Sequence, residues 1–528
     1  MNKLSTKKHI GIALVLICSL QLLISLYWCE KKDYLFFDEV FSYAAANNEE
    51  SIFYEFPENQ WLDESWYDDY MGVSSEHRFE YSIPYKNQIR DVHPPLFYIF
   101  LHTACSMVPE EFSFMAGMSF NILFFIACTI GLYFLGKELF GNPVCGLLGG
   151  LLYALSFGGL NTVVFIRMYM LMTFFAVWHV LVYLKCFEKE QITIKGCLLL
   201  GITLVGGVLS HYYFLFIAFC IAVWYTLKFI KNKNFKALIK YLSTIIISAI
   251  VTLLAWPSML SHLFSGGRGK EAQSNFLNLS GYLGDLKELF NVLNNDLFTK
   301  MLPLILAGIL GLAIICNRKK ICVLNKEYKM KILMVTFVSI GYFFLVAKIA
   351  PYKVDRYVMP IYPLVYLIII GVAYELLAQF INKKIAVLLC VLGFGGLSAI
   401  HMIHSGIPYT YAKNPENIAR QEIVEMYDDN YAIYISDNGE CHHFASAQIL
   451  RNYKAFYHVY DLTTVEQTRN DLECLQNEEK IMVYVSKNYN MEDVTAFLGN
   501  VLNGVTSENI NLLNEDEIWD VYLIQKGV

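Results

Sequence analysis

The chain has 528 residues, of which 56% are hydrophobic, 15% aromatic and 17% charged, with a formal net charge of −6 and a mean hydropathy of +0.41. A soluble domain carries about 25% charged residues, so a single soluble domain is excluded. The abundance of aromatics excludes a disordered chain, and 13 Cys in 528 residues are too dilute for a disulfide scaffold. The charge is also uneven: residues 411–528 hold 8 basic and 20 acidic residues, and residues 29–92 hold 5 basic and 15 acidic. Both stretches must face water, and what remains is a membrane body.

Apolar runs of the roughly 17–25 residues needed to cross a bilayer core fall near 9–28, 113–136, 144–160, 163–185, 194–210, 212–230, 239–260, 299–316, 331–349, 357–380 and 384–402. These make eleven expected spans. The run 95–108 is apolar but short and opens on Pro94 and Pro95, so it is read as an interfacial helix. The first span, preceded by Lys3, Lys7 and Lys8, lacks a small-residue cleavage site before Trp28-Cys29-Glu30 and is read as uncleaved.

Positive charge near span ends orients the chain. With a cytoplasmic N-terminus, the Lys and Arg clusters at 1–8, 185–195, 228–240, 317–331 and 382–384 all fall inside. The acidic first loop (29–112), the loop 261–298 and the C-terminal part then lie outside. That part, 411–528, alternates strand candidates at 431–436, 455–460, 480–486 and 519–525 with helical stretches at 414–427 and 463–476. It reads as a small extracytoplasmic α/β domain appended to a membrane domain of residues 1–410.

With this topology, the ionisable residues in or beside spans gather on the outer surface, where such residues are costly and default to functional candidates. They are Asp38 and Glu39 in "YLFFDEVFSY", His93 in "DVHPPLFY", Arg167 in "FIRMYML", His211 in "LSHYYF", and Lys353, Asp355 and Arg356 in "APYKVDRYVMPIYP". Each alone has a plain explanation: acids in an acidic loop, a histidine at a turn, an arginine snorkelling to the interface. Together they suit a substrate that carries an anionic phosphate and is anchored by a lipid tail.

An Asp-Glu pair early in a large first outer loop, followed by "DVHPPL" opening an interfacial helix, resembles the GT-C polytopic glycosyltransferases, most nearly glycosyltransferase family 39 and its bacterial relatives. "RMYML", "SHYYF" and "DRYVMPIYP" look like elements of the bacterial branch, whereas the "WWDYG" signature of oligosaccharyltransferases is absent. The resemblance covers roughly residues 9–402. It implies a GT-C-type α-helical polytopic membrane enzyme that moves one sugar from a polyprenyl-phosphate donor, with inversion, to an extracytoplasmic protein, wall polymer or glycolipid.

On that resemblance Asp38 and Glu39 are the catalytic candidates, while Arg167, Lys353 and Arg356 would bind the donor phosphate. His93, His211 and Tyr169 would serve substrate or structure. No cofactor is required; a divalent metal, held among Asp38, Glu39, His93 and His211, stays open. The expected partners are the donor lipid, the bilayer and an acceptor, with no nucleic acid. The Lys- and Ile-rich, Arg-poor usage points to a bacterial cell membrane. A polytopic transporter or flippase for a lipid-linked substrate is the alternative; such proteins show internal repeats and interrupted helices, and no repeat is evident.

Overall fold

In a computed structural model the chain is a multi-pass, predominantly helical membrane protein with a small sheet domain. The structure describes residues 3–32, 34–50, 54–188, 192–278, 280–405, 415–437, 439–516 and 518–526. The chain divides into two compact units. The first comprises Met1–Lys31, Gln88–Phe100 and Met118–Pro408; the second comprises Lys32–Asn87, Leu101–Gly117 and Tyr409–Val528. The first-loop segments thus belong with the C-terminal part rather than with the membrane body. The boundary expected at 410 lies outside the described residues.

Among the described residues of the first unit, eight helices are long and apolar enough to cross a membrane: Lys8–Glu30, Phe114–Phe140, Tyr169–Phe187, Phe214–Lys231, Phe235–Ala255, Lys326–Ile349, Met359–Leu377 and Lys383–His404. Two more candidates are bent pairs, Pro143–Ala154 with Phe157–Val164 at 57° and Tyr282–Phe298 with Leu302–Arg318 at 76°. This makes up to ten spans against the eleven expected. The difference is Ile194–Ser210, an apolar helix of 17 residues that stands at the lower limit of spanning length. Residues 261–298, expected as an outer loop, are largely helical and supply one limb of the second bent pair.

Both bends have local causes. Ser156 ends one helix and caps the next, its Oγ accepting the Gly159 N–H at 3.0 Å. At the other bend Thr299 and Lys300 adopt positive φ of 51° and 66°, and the Asn294 side chain accepts the Leu302 N–H at 2.9 Å. The helices that begin beside the basic clusters start on side-chain caps from Asn142, Thr193, Asn234, Asn325 and Asn382. Such caps stabilise a helix start by about 0.5–2 kcal/mol each.

In the second unit six strands form one sheet in the order β1-β3-β2-β4-β6-β5: β1 (Trp61–Leu62), β2 (Tyr431–Ile435), β3 (Phe456–Val459), β4 (Lys480–Ser486), β5 (Ile510–Glu515) and β6 (Trp519–Gln525). β3, β2 and β4 are parallel, while β6, β5 and β1 add antiparallel edges. One face buries Ile433, Val459, Ile481 and Val483 against Val494, Phe497, Leu498 and Val501 of the helix Met491–Val501. β5 escaped the sequence reading because its residues are mostly exposed at the sheet edge and carry no alternation. β1 escaped because two residues have no period, yet it ties the first loop to the sheet, the His458 N–H donating to Gln60 O at 3.2 Å and the Asn59 N–H to His458 O at 2.9 Å.

Close helix contact in the first unit rests on small residues, as expected where the hydrophobic effect does not drive helices together. A Cβ on Gly136 would lie 2.6 Å from the Gly146 Cα, and one on Gly146 would run into the Tyr133 carbonyl. Gly146→Leu should therefore cost more than about 2 kcal/mol, read as a large fall in thermal midpoint of the purified protein. Gly308→Leu, whose added carbon meets nothing within 4 Å, should leave the midpoint in place.

Candidate functional site

The polar residues of the first unit meet where helices stop. Asp91, Val92 and His93 form a bend that leads through Pro94 and Pro95 into the helix Leu96–Cys105. Within it the His93 Nδ1 lies 2.8 Å from Asp91 Oδ2. With its amide oriented to satisfy its neighbours, Gln88 donates to Asp91 Oδ2 at 3.3 Å and to His93 O at 3.2 Å. The same segment is held from behind: the Trp256 indole N–H donates to the Tyr212 hydroxyl at 2.9 Å, that hydroxyl meets His262 Nδ1 at 2.9 Å, and His262 Nε2 faces Ile89 O at 3.3 Å.

His211 occupies the turn between Ile194–Ser210 and Phe214–Lys231. Gly207 lets the two helices meet tightly, since a Cβ there would run into the Phe214 ring. The His211 ring lies 6.2 Å from that of His93, 5.5 Å from Tyr169 and 4.8 Å from Tyr213. Burial, then the neighbouring His93, Arg167 and Arg356, hold its pKa well below the usual histidine range. The ring is therefore neutral, and because Nδ1 accepts the Tyr213 N–H at 3.0 Å, its proton sits on Nε2. His211 is thus a hydrogen-bond donor in a buried place.

Arg167, 6% exposed, stands in the break between Phe157–Val164 and Tyr169–Val182. Asn121 holds that break open by donating to Val163 O at 3.3 Å and Phe165 O at 2.9 Å. Arg356 lies in the single 3-10 turn Asp355–Tyr357, its guanidinium 5.4 Å from the Tyr357 ring centre. The Asp355 carboxylate anchors this turn, accepting the Arg356 N–H at 2.7 Å and the Asn161 amide at 2.9 Å. Burial, then the nearby Asp296, push its pKa upward.

Burial also pushes the Asp91 carboxyl up, but His93, the Val92 N–H and Arg167 outweigh it and hold it at about 2. Asp91 is therefore ionised and offsets part of the positive charge. Two guanidinium groups, a neutral imidazole donor and an imidazole paired with a carboxylate make a cluster whose chemistry suits a phosphate oxyanion.

The structure thus brings together His93, Arg167, Tyr169, His211 and Arg356. Lys353 instead directs its ammonium to Ala350 O at 2.6 Å and to Asp285 at 3.6 Å. Asp91 and Tyr213 were not singled out from the sequence, and Asp355, grouped there with the outer-surface candidates, anchors the turn that carries Arg356. Asp91 stands two residues before His93 in "DVH", and it is the bend over residues 91–93 that brings the two side chains together.

Asp38 and Glu39 belong to the second unit, in the first turn of the helix Phe37–Asn47. Asp38 is partly exposed, and its carbonyl accepts the Ser42 hydroxyl at 3.0 Å. Glu39 was expected to face an acceptor or a metal, but its carboxylate is enclosed: it lies 3.0 Å from Lys32 Nζ and accepts the Phe36 N–H at 2.8 Å. The two side chains are 1% and 0% exposed. Removing one partner of such a pair strands a buried charge at a cost of about 3–5 kcal/mol.

Among the described residues, no three His, Cys, Asp or Glu side chains form a set that could hold a metal ion. Three of the four proposed ligands are already engaged, Glu39 by Lys32, His93 Nδ1 by Asp91, and His211 Nδ1 by a backbone N–H. They do not fit a metal centre as arranged, and no step below is routed through one.

No family model and no curated protein matches this sequence. Among solved structures, the chain is similar to ArnT from Cupriavidus metallidurans bound to undecaprenyl phosphate, at 10% identity and a TM-score of 0.49, covering 97% of each chain. It is also similar to the oligosaccharyltransferase AglB from Archaeoglobus fulgidus in complex with an inhibitory peptide and a dolichol-phosphate, at 12% identity and a TM-score of 0.45, covering 92% of this chain and 70% of that one.

The tautomer of His211 can be tested with two amides. The Asn side chain places an acceptor where Nδ1 stands, and Gln places a donor nearer Nε2. His211→Asn should keep the turn, with stability within about 1 kcal/mol of wild type, yet weaken binding of a short-chain prenyl phosphate about tenfold. His211→Gln should show the reverse balance. Calorimetric titration and thermal unfolding of the same preparations check both.

Proposed function

We propose that this protein is a GT-C-type glycosyltransferase that transfers a single sugar from a polyprenyl-phosphate donor to an acceptor outside the cytoplasm. The observation that carries the reading is the gathering of Arg167, Arg356, His211 and the Asp91-His93 pair at helix breaks of a membrane body. A site that binds phosphate at the end of membrane helices fits a phosphate carried on a lipid.

In an inverting displacement the acceptor oxygen attacks the anomeric carbon, the bond from that carbon to the phosphate oxygen breaks, and the acceptor's proton passes to a base. The phosphate leaves as a stable anion, so one carboxylate suffices, unlike the paired carboxylates of glycoside hydrolases. Asp38 is assigned as that base. Arg167, Arg356 and the His211 donor stabilise charge growing on the phosphate, with His93 held for the same purpose by Asp91. Lys353, committed to Asp285, is assigned a lesser part.

The two bent helix pairs favour a second reading, a transporter or flippase for a lipid-linked substrate, because such proteins place their sites at interrupted helices. Purified protein supplied with a panel of polyprenyl-phosphate sugars separates the two. Release of free polyprenyl phosphate with a glycosylated product supports the transferase, whereas movement of intact carrier across a vesicle with no release overturns it.

Two variants test the assignments. Asp38→Asn, with insertion and folding verified, should lower kcat about 10²–10⁴-fold; a loss of only a few-fold would remove Asp38 as the base. Arg356→Ala should lower kcat/KM about 10²–10³-fold and weaken binding of the free prenyl phosphate. Unchanged values for both would leave Arg356 as an ordinary turn residue.

A further inference from the structure

The ion pair Lys32–Glu39 is unusual in its setting. It lies in a water-facing unit, yet both side chains are removed from solvent. Burying two charges is a poor way to gain stability, since an apolar pair of similar volume usually does as well. What a charged pair supplies is direction. One ammonium lies 3.0 Å from each of the two carboxylate oxygens, and one of those oxygens also accepts the Phe36 N–H at 2.8 Å. Glu39 is thereby fixed in position and in rotation, and with it the first turn of the helix Phe37–Asn47.

The chain leading into that turn is held a second time. The Gln448 amide grips the backbone of Leu35 from both sides, its oxygen accepting the Leu35 N–H at 2.8 Å and its nitrogen donating to Leu35 O at 2.9 Å. Gln448 sits on the helix Glu440–Leu450, beside the sheet. The far end of Phe37–Asn47 is tied as well, the Asn87 amide donating to Ala45 O and Asn48 O, and His102 Nδ1 lying 2.9 Å from Ala46 O. Asp38 is the partly exposed neighbour of Glu39 in the middle of this fixed segment.

We propose that Lys32 is a positioning residue: its buried pairing with Glu39 sets the first turn of the helix Phe37–Asn47 and thereby the orientation of the Asp38 carboxylate. The proposal rests on the reading that Asp38 takes the acceptor's proton. It gives Glu39 a task inside the fold rather than at the substrate. It also accounts for the adjacency of the two acids, since one is spent as an anchor to aim the other.

The test uses the full-length protein in lipid nanodiscs as wild type, Lys32→Met, Glu39→Gln, the double variant Lys32→Met with Glu39→Gln, and Lys32→Arg. Hydrogen exchange over residues 36–41 is read alongside kcat and the KM for donor. The double variant leaves no stranded charge, so it stays informative where a single variant folds poorly. Expected are exchange at 36–41 faster by about tenfold or more with β2 and β4 unchanged, and kcat lower by about 10²-fold, the scale of a 1 Å misplacement, with donor KM within about twofold. The double variant should match the singles rather than multiply them, and Lys32→Arg should restore both readouts.

Unchanged exchange at 36–41 would overturn the proposal. So would a double variant that regains wild-type kcat, which would make the pair merely structural. A Glu39→Gln defect far deeper than that of Lys32→Met would overturn it by placing Glu39 at the substrate. If the wild type transfers no sugar, the proposed function fails, and the exchange measurement alone decides whether Lys32 locks the turn.

Discussion

A helix inside hydrocarbon must satisfy every backbone N–H and C=O by itself, because no water is there to do so. That constraint governs where this chain keeps its polar chemistry. Arg167 stands between two helices, His211 in a tight turn, Arg356 in a single 3-10 turn, and Asp91 and His93 in a bend before two prolines. Each site opens where the helical ladder stops, and each opening is covered by a side chain: Asn121 at the break before Arg167, Asp355 at the turn that carries Arg356, and the His211 imidazole at its own turn. The groups that close the backbone are neighbours of the clustered polar side chains, so losing one disturbs the other.

The electrostatics follow from the same arrangement. Burial, then His93 and the two arginines, keep the His211 imidazole neutral, and a backbone N–H on Nδ1 then leaves the proton on Nε2. Burial and the surrounding positive charge thus together fix the histidine as a donor. Asp91 tempers that field and holds His93, staying ionised because the surrounding cations and N–H groups outweigh its burial.

The second unit is made of three separate stretches of chain. Its sheet takes its parallel centre from the C-terminal residues and one edge from the first loop, where Trp61 and Leu62 pair with Tyr457 and Phe456. The acidic composition of both stretches showed that they face water, but gave no sign that they fold together. Strand pairing between residues about 400 apart depends on backbone hydrogen bonds, which leave no pattern in a two-residue strand. The same holds for Gln448 on Leu35 and for Lys32 on Glu39: in the sequence these are a glutamine in a helix and a lysine in a charged run.

The sequence by itself determined the membrane class, most of the spans, the strand-helix alternation of the C-terminal part, and the short set of polar residues worth examining. These are local properties, because hydrophobic length, periodicity and proline geometry are written in consecutive residues. Only the tertiary structure decided how that set divides. It gathered His93, Arg167, Tyr169, His211 and Arg356 into one cluster, turned Lys353 to Asp285, added Asp91, and enclosed Glu39 with Lys32. Whether a charge is offered to a ligand or spent within the fold depends on which distant group lies within 3 Å of it, and that is a property of packing.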